Sequence, residues 1–284
     1  MKVANNKAWW LTLPAVAVLF FVGVIPLMTI INYSFHDIFT LPDKHWIGFE
    51  WYADIIRSER FHNSFFRSLS FSFIVLAIEI PLGIAIALSM PRKGIGVSIC
   101  LVFFALPLLV PWNMIPIMWL SMFNAETGVV AKALAFLGVS VNWKLNPVHT
   151  WIVIVVMDVW HWTSLVVILC YSSLSTISAP FYQAAAIDGA NRWQVFRYVQ
   201  LPKMHGVLLM ALLLRFMDSF MIYTEAFRIN AGGPRNATMF LAIDLGEEIA
   251  AFNYGPSAAR SIVYFLIVLS VAWAFKTALG GRDR

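Results

Sequence analysis

Six ionisable residues sit inside stretches that are otherwise apolar: Glu79, Asp158, His161, Arg215, Asp218 and Glu225. Water stabilises charge far better than an apolar medium does, so such residues persist where they pair or where they work. Asp158 and His161 are three apart, as are Arg215 and Asp218, which puts each pair on one helix face. Pairing within or between helices would offset the cost of burial without any ligand. For Arg215 and Asp218 that reading weighs more; for Asp158 and His161 it stands level with a functional site. One working alternative is an acid that relays a proton or sodium ion. Another is a polar group at a binding site. Trp112, Asn113, Trp119, Trp160, Trp162, Tyr223 and Glu225 offer such polar partners beside stacking surface. Any one of the twelve Trp still weighs more as an interfacial anchor. Glu79, close to Pro81, faces either a partner subunit or a cavity. No residue reads as catalytic: His161 lacks an evident nucleophile, and no His-Glu-x-x-His or Gly-x-x-x-x-Gly-Lys-Ser/Thr motif is present. The chain is therefore expected to be no enzyme and to hold no metal.

Composition dictates the elements that carry these residues. Of 284 residues, 60% are hydrophobic and 12% charged, with mean hydropathy +0.76. A water-soluble chain carries about 25% charged residues, so the medium is a bilayer. A spanning helix needs about 20 mostly apolar residues. Six runs qualify: Trp9–Tyr33, Phe66–Met90, Ile95–Phe123, Thr150–Leu174, Gly206–Phe227 and Ser257–Leu279. Lipid leaves no water for bare backbone groups, so each run is expected to be helical. Ile152-Val-Ile-Val-Val-Met157 lacks the alternation of a barrel strand. The first run is too long for a signal-peptide core and has no small-x-small cleavage site, so it is expected to stay. Pro107, Pro111 and Pro116 should kink the third run and free carbonyls, as suits a helix lining a pathway or a packing kink.

The net charge of +5 fits cytoplasmic flanks near anionic lipid. It does not suit nucleic acid, because no basic cluster is interleaved with stacking residues. Cys100 and Cys170 lie in apolar runs and read as packing residues. Lys2, Lys7 and the short turn Pro91-Arg-Lys-Gly94 place both termini in the cytoplasm. Arg192, Arg197, Lys203, Lys276, Arg282 and Arg284 then fall on the same side. No soluble-like block separates the runs, so residues 1–284 read as one domain, and no internal repeat is evident.

One inner segment, about 178–204, is too ordered for a connector. Tyr182–Asp188 holds helix formers. Gly189 takes positive φ at little cost, and Asn191 can cap a second helix, Arg192–Leu201, on which Trp193, Phe196 and Val199 share a side. Pro202 should end that helix. The alanines leave a bare surface that a partner can approach closely. On these grounds a hairpin lying on its own membrane domain and a docking hairpin weigh evenly.

Gln183-Ala184-Ala185, Asp188-Gly189-Ala190, Phe196 and Leu201-Pro202 resemble the cytoplasmic signature of ABC importer permeases. Its usual form is Glu-Ala-Ala, three residues, Gly, then a spacer to Leu-Pro. The resemblance implies an ATPase-coupling role for Tyr182, Gln183, Ala184, Ala185, Asp188, Gly189, Ala190, Phe196, Leu201 and Pro202, the first short helix docking in a groove on the ATPase. Gln183 stands where the family usually has Glu, which implies a neutral, less salt-sensitive contact. Asp188 reads equally as a local turn former. Phe227-Arg-Ile-Asn-Ala-Gly-Gly-Pro-Arg-Asn-Ala-Thr238 resembles an outer loop of sugar-type permeases, with Ala231 replacing a Gly. Ile47-Gly-Phe-Glu-Trp-Tyr52 looks like their Gly-Leu-x-Asn-Tyr segment, with Trp51 where Asn is usual.

The branch resembled is the one for carbohydrates, shared with maltose and glycerol-phosphate uptake. Asp158-Val-Trp-His-Trp-Thr-Ser164 and Arg215–Glu225 look like glycerol and polyol permeases. The resemblance implies an all-α membrane protein of six transmembrane helices with the type I ABC importer permease fold. It implies a multi-pass protein of the bacterial inner (plasma) membrane, in contact with lipid. Partners would be a second homologous permease in a heterodimer, an ABC ATPase dimer that carries ATP and Mg, and a periplasmic or extracellular solute-binding protein. No cofactor would be bound by this chain. Glycerol is the leading solute, a monosaccharide or glycerol derivative the next. On the residues, Trp112, Asn113, Trp119, Asp158, His161, Asp218, Tyr223 and Glu225 are candidates for the pathway. The rival reading is an ion-coupled secondary transporter that uses Asp158, Asp218 or Glu225 as its relay.

Overall fold

The computed structural model describes residues 9–40 and 43–280. Lys2, Lys7, Arg282 and Arg284, which enter the orientation argument, lie outside the described residues. Among the described residues five helices are long and apolar enough to cross a membrane: α1 (Trp10–Tyr33), α3 (Glu59–Ser89), α7 (Pro147–Ser175), α9 (Arg192–Asn230) and α11 (Tyr254–Gly280). A sixth crossing requires the pair α4 (Ile95–Leu109) and α5 (Met114–Met122) to act as one span. Shorter helices are α2 (Glu50–Arg57), α6 (Val129–Phe136), α8 (Ala179–Ile187) and α10 (Leu241–Ala250).

The third apolar run is thus not one kinked rod. It bends by 100° between α4 and α5. Pro107 lies inside α4 and Pro111 in the gap. Each removes a backbone donor and crowds the preceding turn, and two within five residues break the rod where one would bend it. The chain also carries a small hairpin that hydropathy did not announce. Strands β1 (His36–Thr40) and β2 (Asp43–Trp46) pair antiparallel, with His36 opposite Trp46.

Cα packing divides the chain into two units, Met1–His62 with Asp244–Val271 and Asn63–Ile243 with Ala272–Arg284. In the first, Phe35 stacks on Trp46 at 5.3 Å, and the Trp51 indole donates to the His36 carbonyl at 3.1 Å. Gly255 is required there, because a Cβ would lie 2.3 Å from that same carbonyl. Buried Asp244 pairs with Arg60 and Arg260 and accepts from the Tyr264 hydroxyl at 2.9 Å.

In the second unit α7 packs along both α4 and α9. One apolar cluster holds Phe71, Val153, Ile154, Met157 and Phe240; another holds Ala87, Val166, Val167, Cys170 and Met204. Gly83 lets α3 approach α7, since a Cβ there would meet Val166 at 2.5 Å. That approach lies one turn from Glu79.

Candidate functional site

Most of the residues singled out in the sequence gather in two places, both within 63–243. The first is the hairpin. Pro180 sits in the first turn of α8, where its missing N–H costs nothing. Asp188 caps the helix end, and Gly189 follows at φ +66°, so that the Ala190 N–H closes on the Ala185 carbonyl at 2.9 Å. Asn191 then caps α9. Its Oδ1 accepts from the Gln194 N–H at 2.9 Å, and its own N–H donates to Gln194 Oε1 at 2.7 Å. Such a reciprocal box is worth about 1 kcal/mol.

Gln183, Ala184, Asp188 and Gly189 are exposed, and Ala185 turns inward. Among the described residues neither Gln183 nor Asp188 has a side-chain partner. Asp188 therefore makes no turn bond to backbone here. Tyr182, Ala190, Phe196 and Leu201 are half-buried. Ile187, 86% exposed at the tip, was not singled out from sequence. Its signal in the sequence is a large apolar residue directly before an Asp-Gly turn.

Pro202 does not stop the second helix. A π turn, Phe196–Gln200, precedes it, and the chain runs on through Leu201–Phe220. Pro202 has no N–H for an i→i−4 bond and crowds the carbonyl four back; the wider turn relieves both demands.

The root of the hairpin is held from two sides. The Arg92 guanidinium lies 4.4 Å from the centre of the Tyr182 ring, and the Lys203 ammonium 4.5 Å from that of Phe181. Tyr171 donates to the Pro91 carbonyl at 3.0 Å. The turn Pro91–Gly94 and the hairpin are thus neighbours.

The second place is buried polar chemistry between α3, α7 and α9. Arg215, 1% exposed, donates through Nε and Nη2 to Glu79 at 2.8 and 3.1 Å. Nη2 also reaches Asp158 at 2.6 Å, and Nη1 reaches Asp218 at 2.5 Å. The guanidinium lies 4.5 Å from the centre of the Trp162 ring. The Arg215/Asp218 pair expected from spacing is present. Asp158 is paired with Arg215 and not with His161; the guanidinium, always charged and five-handed, outcompetes an imidazole for a carboxylate.

His161 instead packs edge-on against Trp162 at 4.8 Å, with its Nδ1 unpartnered among the described residues. Glu225, 2% exposed, accepts from the Trp112 indole at 3.0 Å through Oε1, and its Oε2 has no partner there. Tyr223 stacks on Phe227 at 5.2 Å. Trp119 lies apart, stacked on Phe123 and edge-on to Trp160 in the apolar cluster. Asn113, exposed, begins α5 without a side-chain cap bond. Among the described residues no group of three or more His, Cys, Asp or Glu is arranged to hold a metal ion.

A family model described as the binding-protein-dependent transport system inner membrane component matches residues 79–277. The trehalose/maltose transport system permease protein MalF of Thermococcus litoralis is 31% identical over 95% of this chain and 92% of its own length. The diacetylchitobiose uptake system permease protein DasB of Streptomyces coelicolor is 29% identical over 80% of this chain and 71% of its own. A crystal structure of a bacterial ABC transporter involved in import of the acidic polysaccharide alginate aligns with TM-score 0.83. It covers 98% of this chain and 96% of that chain at 18% identity, a likeness of fold.

Proposed function

The chain belongs to the family of binding-protein-dependent transport system inner membrane components, and on that premise we propose that it couples ATP hydrolysis on another chain to uptake of a neutral sugar or polyol. It is a multi-pass inner-membrane permease subunit of an ABC importer, not itself the catalytic component. Relatives named for trehalose/maltose and diacetylchitobiose uptake support the carbohydrate branch. Glycerol is our leading solute, ahead of a monosaccharide or glycerol derivative. ATP and Mg are held by a partner ATPase dimer. A second homologous permease and an external solute-binding protein complete the assembly.

The observation that carries this reading is the exposed hairpin. α8 presents Gln183, Ala184, Asp188 and Ile187 outward, and Gly189 with the Asn191 box fixes its angle to α9. A helix tied to a spanning helix by so short a turn transmits displacement rather than absorbing it. ATP-driven closure of the ATPase dimer would then move the hairpin and bias two packings of the spans. Gln183 makes its part of the contact neutral, so shape and Ile187 carry more of it.

Gly189→Val tests the coupling. A Cβ at Gly189 meets nothing within 4 Å, so the substitution acts through φ alone. An L-residue held left-handed costs about 1–2 kcal/mol, and a β-branched one more. The expected outcome is normal membrane insertion with ATP-driven uptake abolished in proteoliposomes that hold all partners. Normal uptake by that variant would remove the coupling role, and uptake by the purified chain alone, without ATP, would sink the importer reading.

A further inference from the structure

Three apolar helices end side by side at the root of the hairpin. α3 stops at Ser89, α4 begins at Ile95 and α7 stops at Ser175. The Tyr171 hydroxyl, one turn before that last end, donates to the Pro91 carbonyl at 3.0 Å. Spanning helices run the thickness of the hydrocarbon core, so ends that meet in this way mark the headgroup level of the bilayer. Two clefts open there. One, of about 230 Å³, is lined by Ala87, Met90, Leu174 and Lys93; the other, of about 720 Å³, by Ser89, Arg192, Phe196 and Gln200. Leu88 and Arg92 line both, which makes the two clefts halves of one groove. Its apolar wall comes from α3 and α7. Its cations come from the turn 91–94 and from the first residue of α9.

The charge around this groove is one-sided. Between Glu79 and Glu126, and again between Asp158 and Asp218, the chain holds one acid, Asp188, against Arg92, Lys93, Arg192, Arg197, Lys203 and Arg215. Orientation in a membrane accounts for basic residues near span ends, but not for three of them lining one groove. Among the described residues Arg92, Lys93 and Arg192 pair with no carboxylate. The Tyr182 ring covers the face of Arg92 at 4.4 Å and takes none of its N–H donors. Arg192 stands in the first turn of α9, where a cation opposes the helix dipole, so the stability of that helix does not explain it. Gln200, 5% exposed in the same cleft, uses its side chain only in a 3.5 Å contact from Nε2 to the Tyr182 hydroxyl. An occupant that satisfies the whole groove is an anion joined to an apolar chain. A free phosphate would use the cations and leave the apolar wall bare.

We propose that this groove binds one anionic phospholipid, its phosphodiester against Arg92, Lys93 and Arg192 and an acyl chain along Leu88 and Met90. Basic pockets between helices at the membrane surface hold such headgroups. The bound lipid bridges the turn 91–94 and the hairpin, two segments that the protein itself joins only at Tyr182 and Tyr171. The inference rests on the importer reading only for the leaflet, which is then the cytoplasmic one. A basic residue close to an anionic lipid surface contributes about 5-fold in affinity, so three of them set a preference of about 100-fold over a zwitterionic lipid.

The test uses the assembled permease–ATPase complex, stripped of lipid in a neutral detergent. Radiolabelled phosphatidylglycerol is compared with phosphatidylcholine in mixed micelles. Wild type should bind phosphatidylglycerol saturably and phosphatidylcholine about 100-fold more weakly. Lys93→Gln and Arg192→Gln change exposed side chains, so both variants assemble. Each should weaken phosphatidylglycerol binding about 5-fold, and the pair about 25-fold. Arg192→Lys should stay within about 2-fold of wild type, because it keeps the charge. Arg197→Gln is the control. It removes the same charge from an exposed position about 140° round the helix from Arg192, and should change binding less than about 2-fold at physiological salt. Three results overturn the proposal. One is equal binding of the two lipids by wild type. Another is an equal loss in Arg197→Gln and Arg192→Gln, which means attraction by net charge without a site. The third is displacement of phosphatidylglycerol by excess inorganic phosphate, which makes the groove a site for a free anion. ATP-driven uptake by wild type with all partners is measured separately. Uptake without lipid preference sinks this site alone, whereas lipid preference without ATP-driven uptake sinks the importer reading and leaves the site standing.

Discussion

Arg215 is held by carboxyl groups from positions 79, 158 and 218, with its flat face on Trp162. Removing it would leave Glu79 and Asp158 buried without a counter-charge, and breaking a buried pair from one side costs about 3–5 kcal/mol. Arg215→Met should therefore lower the detergent-solubilised Tm sharply or abolish accumulation. Arg215→Lys keeps the charge but not the fork that spans Glu79, and should fall between. Asp218→Asn, at the open edge, should change Tm least. A Tm for Arg215→Met within error of wild type would refute a structural role for the cluster. Of this cluster only the Arg215/Asp218 pair was legible in sequence, because helical spacing is local. Glu79 stands 136 residues away from Arg215 and Asp158 57; no periodicity joins such positions, and the glycine that lets α3 close on α7 is silent until the helices are packed. His161 misled for the same reason. Its neighbour in spacing was Asp158, and its neighbour in space is Trp162.

The hairpin was legible almost entirely, since caps and turns act within a few residues. Gly189 at positive φ and the Asn191 cap follow from local chemistry, whereas of the three alanines Ala184 and Ala186 are exposed and Ala185 is buried against its own chain. Pro202 is the exception: a proline predicts a stop only if the preceding turn is α-helical, and the π turn at Phe196–Gln200 changes that premise. The break after Leu109 likewise exceeds what the sequence announces, since three prolines indicate a bend but not its 100°. What sequence could not give was the brace. Arg92, which sequence marks only as a basic turn residue, stacks on Tyr182 beside a cavity of about 230 Å³ that Tyr171 and Ala179 also line. A cation–π contact here is worth about 0.5–2 kcal/mol. If the turn and the hairpin move as one, Arg92→Ala should cut uptake several-fold while solute-free ATP hydrolysis by the complex continues, and Arg92→Lys should restore part of it. Equal loss of uptake and hydrolysis would mean that Arg92 serves assembly instead.

The packed unit of residues 63–243 has two ends. At one, Tyr171 reaches Pro91, and the hairpin carries Arg192, Arg197 and Lys203. At the other, the Trp151 indole donates to the Ala237 carbonyl at 2.8 Å and the Asn230 amide to that of Lys144 at 3.0 Å. Trp151 and Tyr171 lie on one helix, α7, about 20 residues or about 30 Å apart, which matches a hydrocarbon core about 30 Å thick. We propose that the two ends lie on opposite faces of the membrane, with the hairpin end, which carries Arg192, Arg197 and Lys203, on the cytoplasmic side. A two-sided labelling experiment checks both statements. In a background with Cys100 and Cys170 replaced, Ile187→Cys should react with a membrane-impermeant maleimide only in inverted vesicles, and Leu145→Cys, 75% exposed at the other end, only in intact cells. Reaction of both from one face would break the topology, and the reverse pattern would invert the orientation. Adding the ATPase to stripped inverted vesicles should then protect position 187 and leave the rate at 145 unchanged in cells, because docking covers the tip that Ile187 exposes.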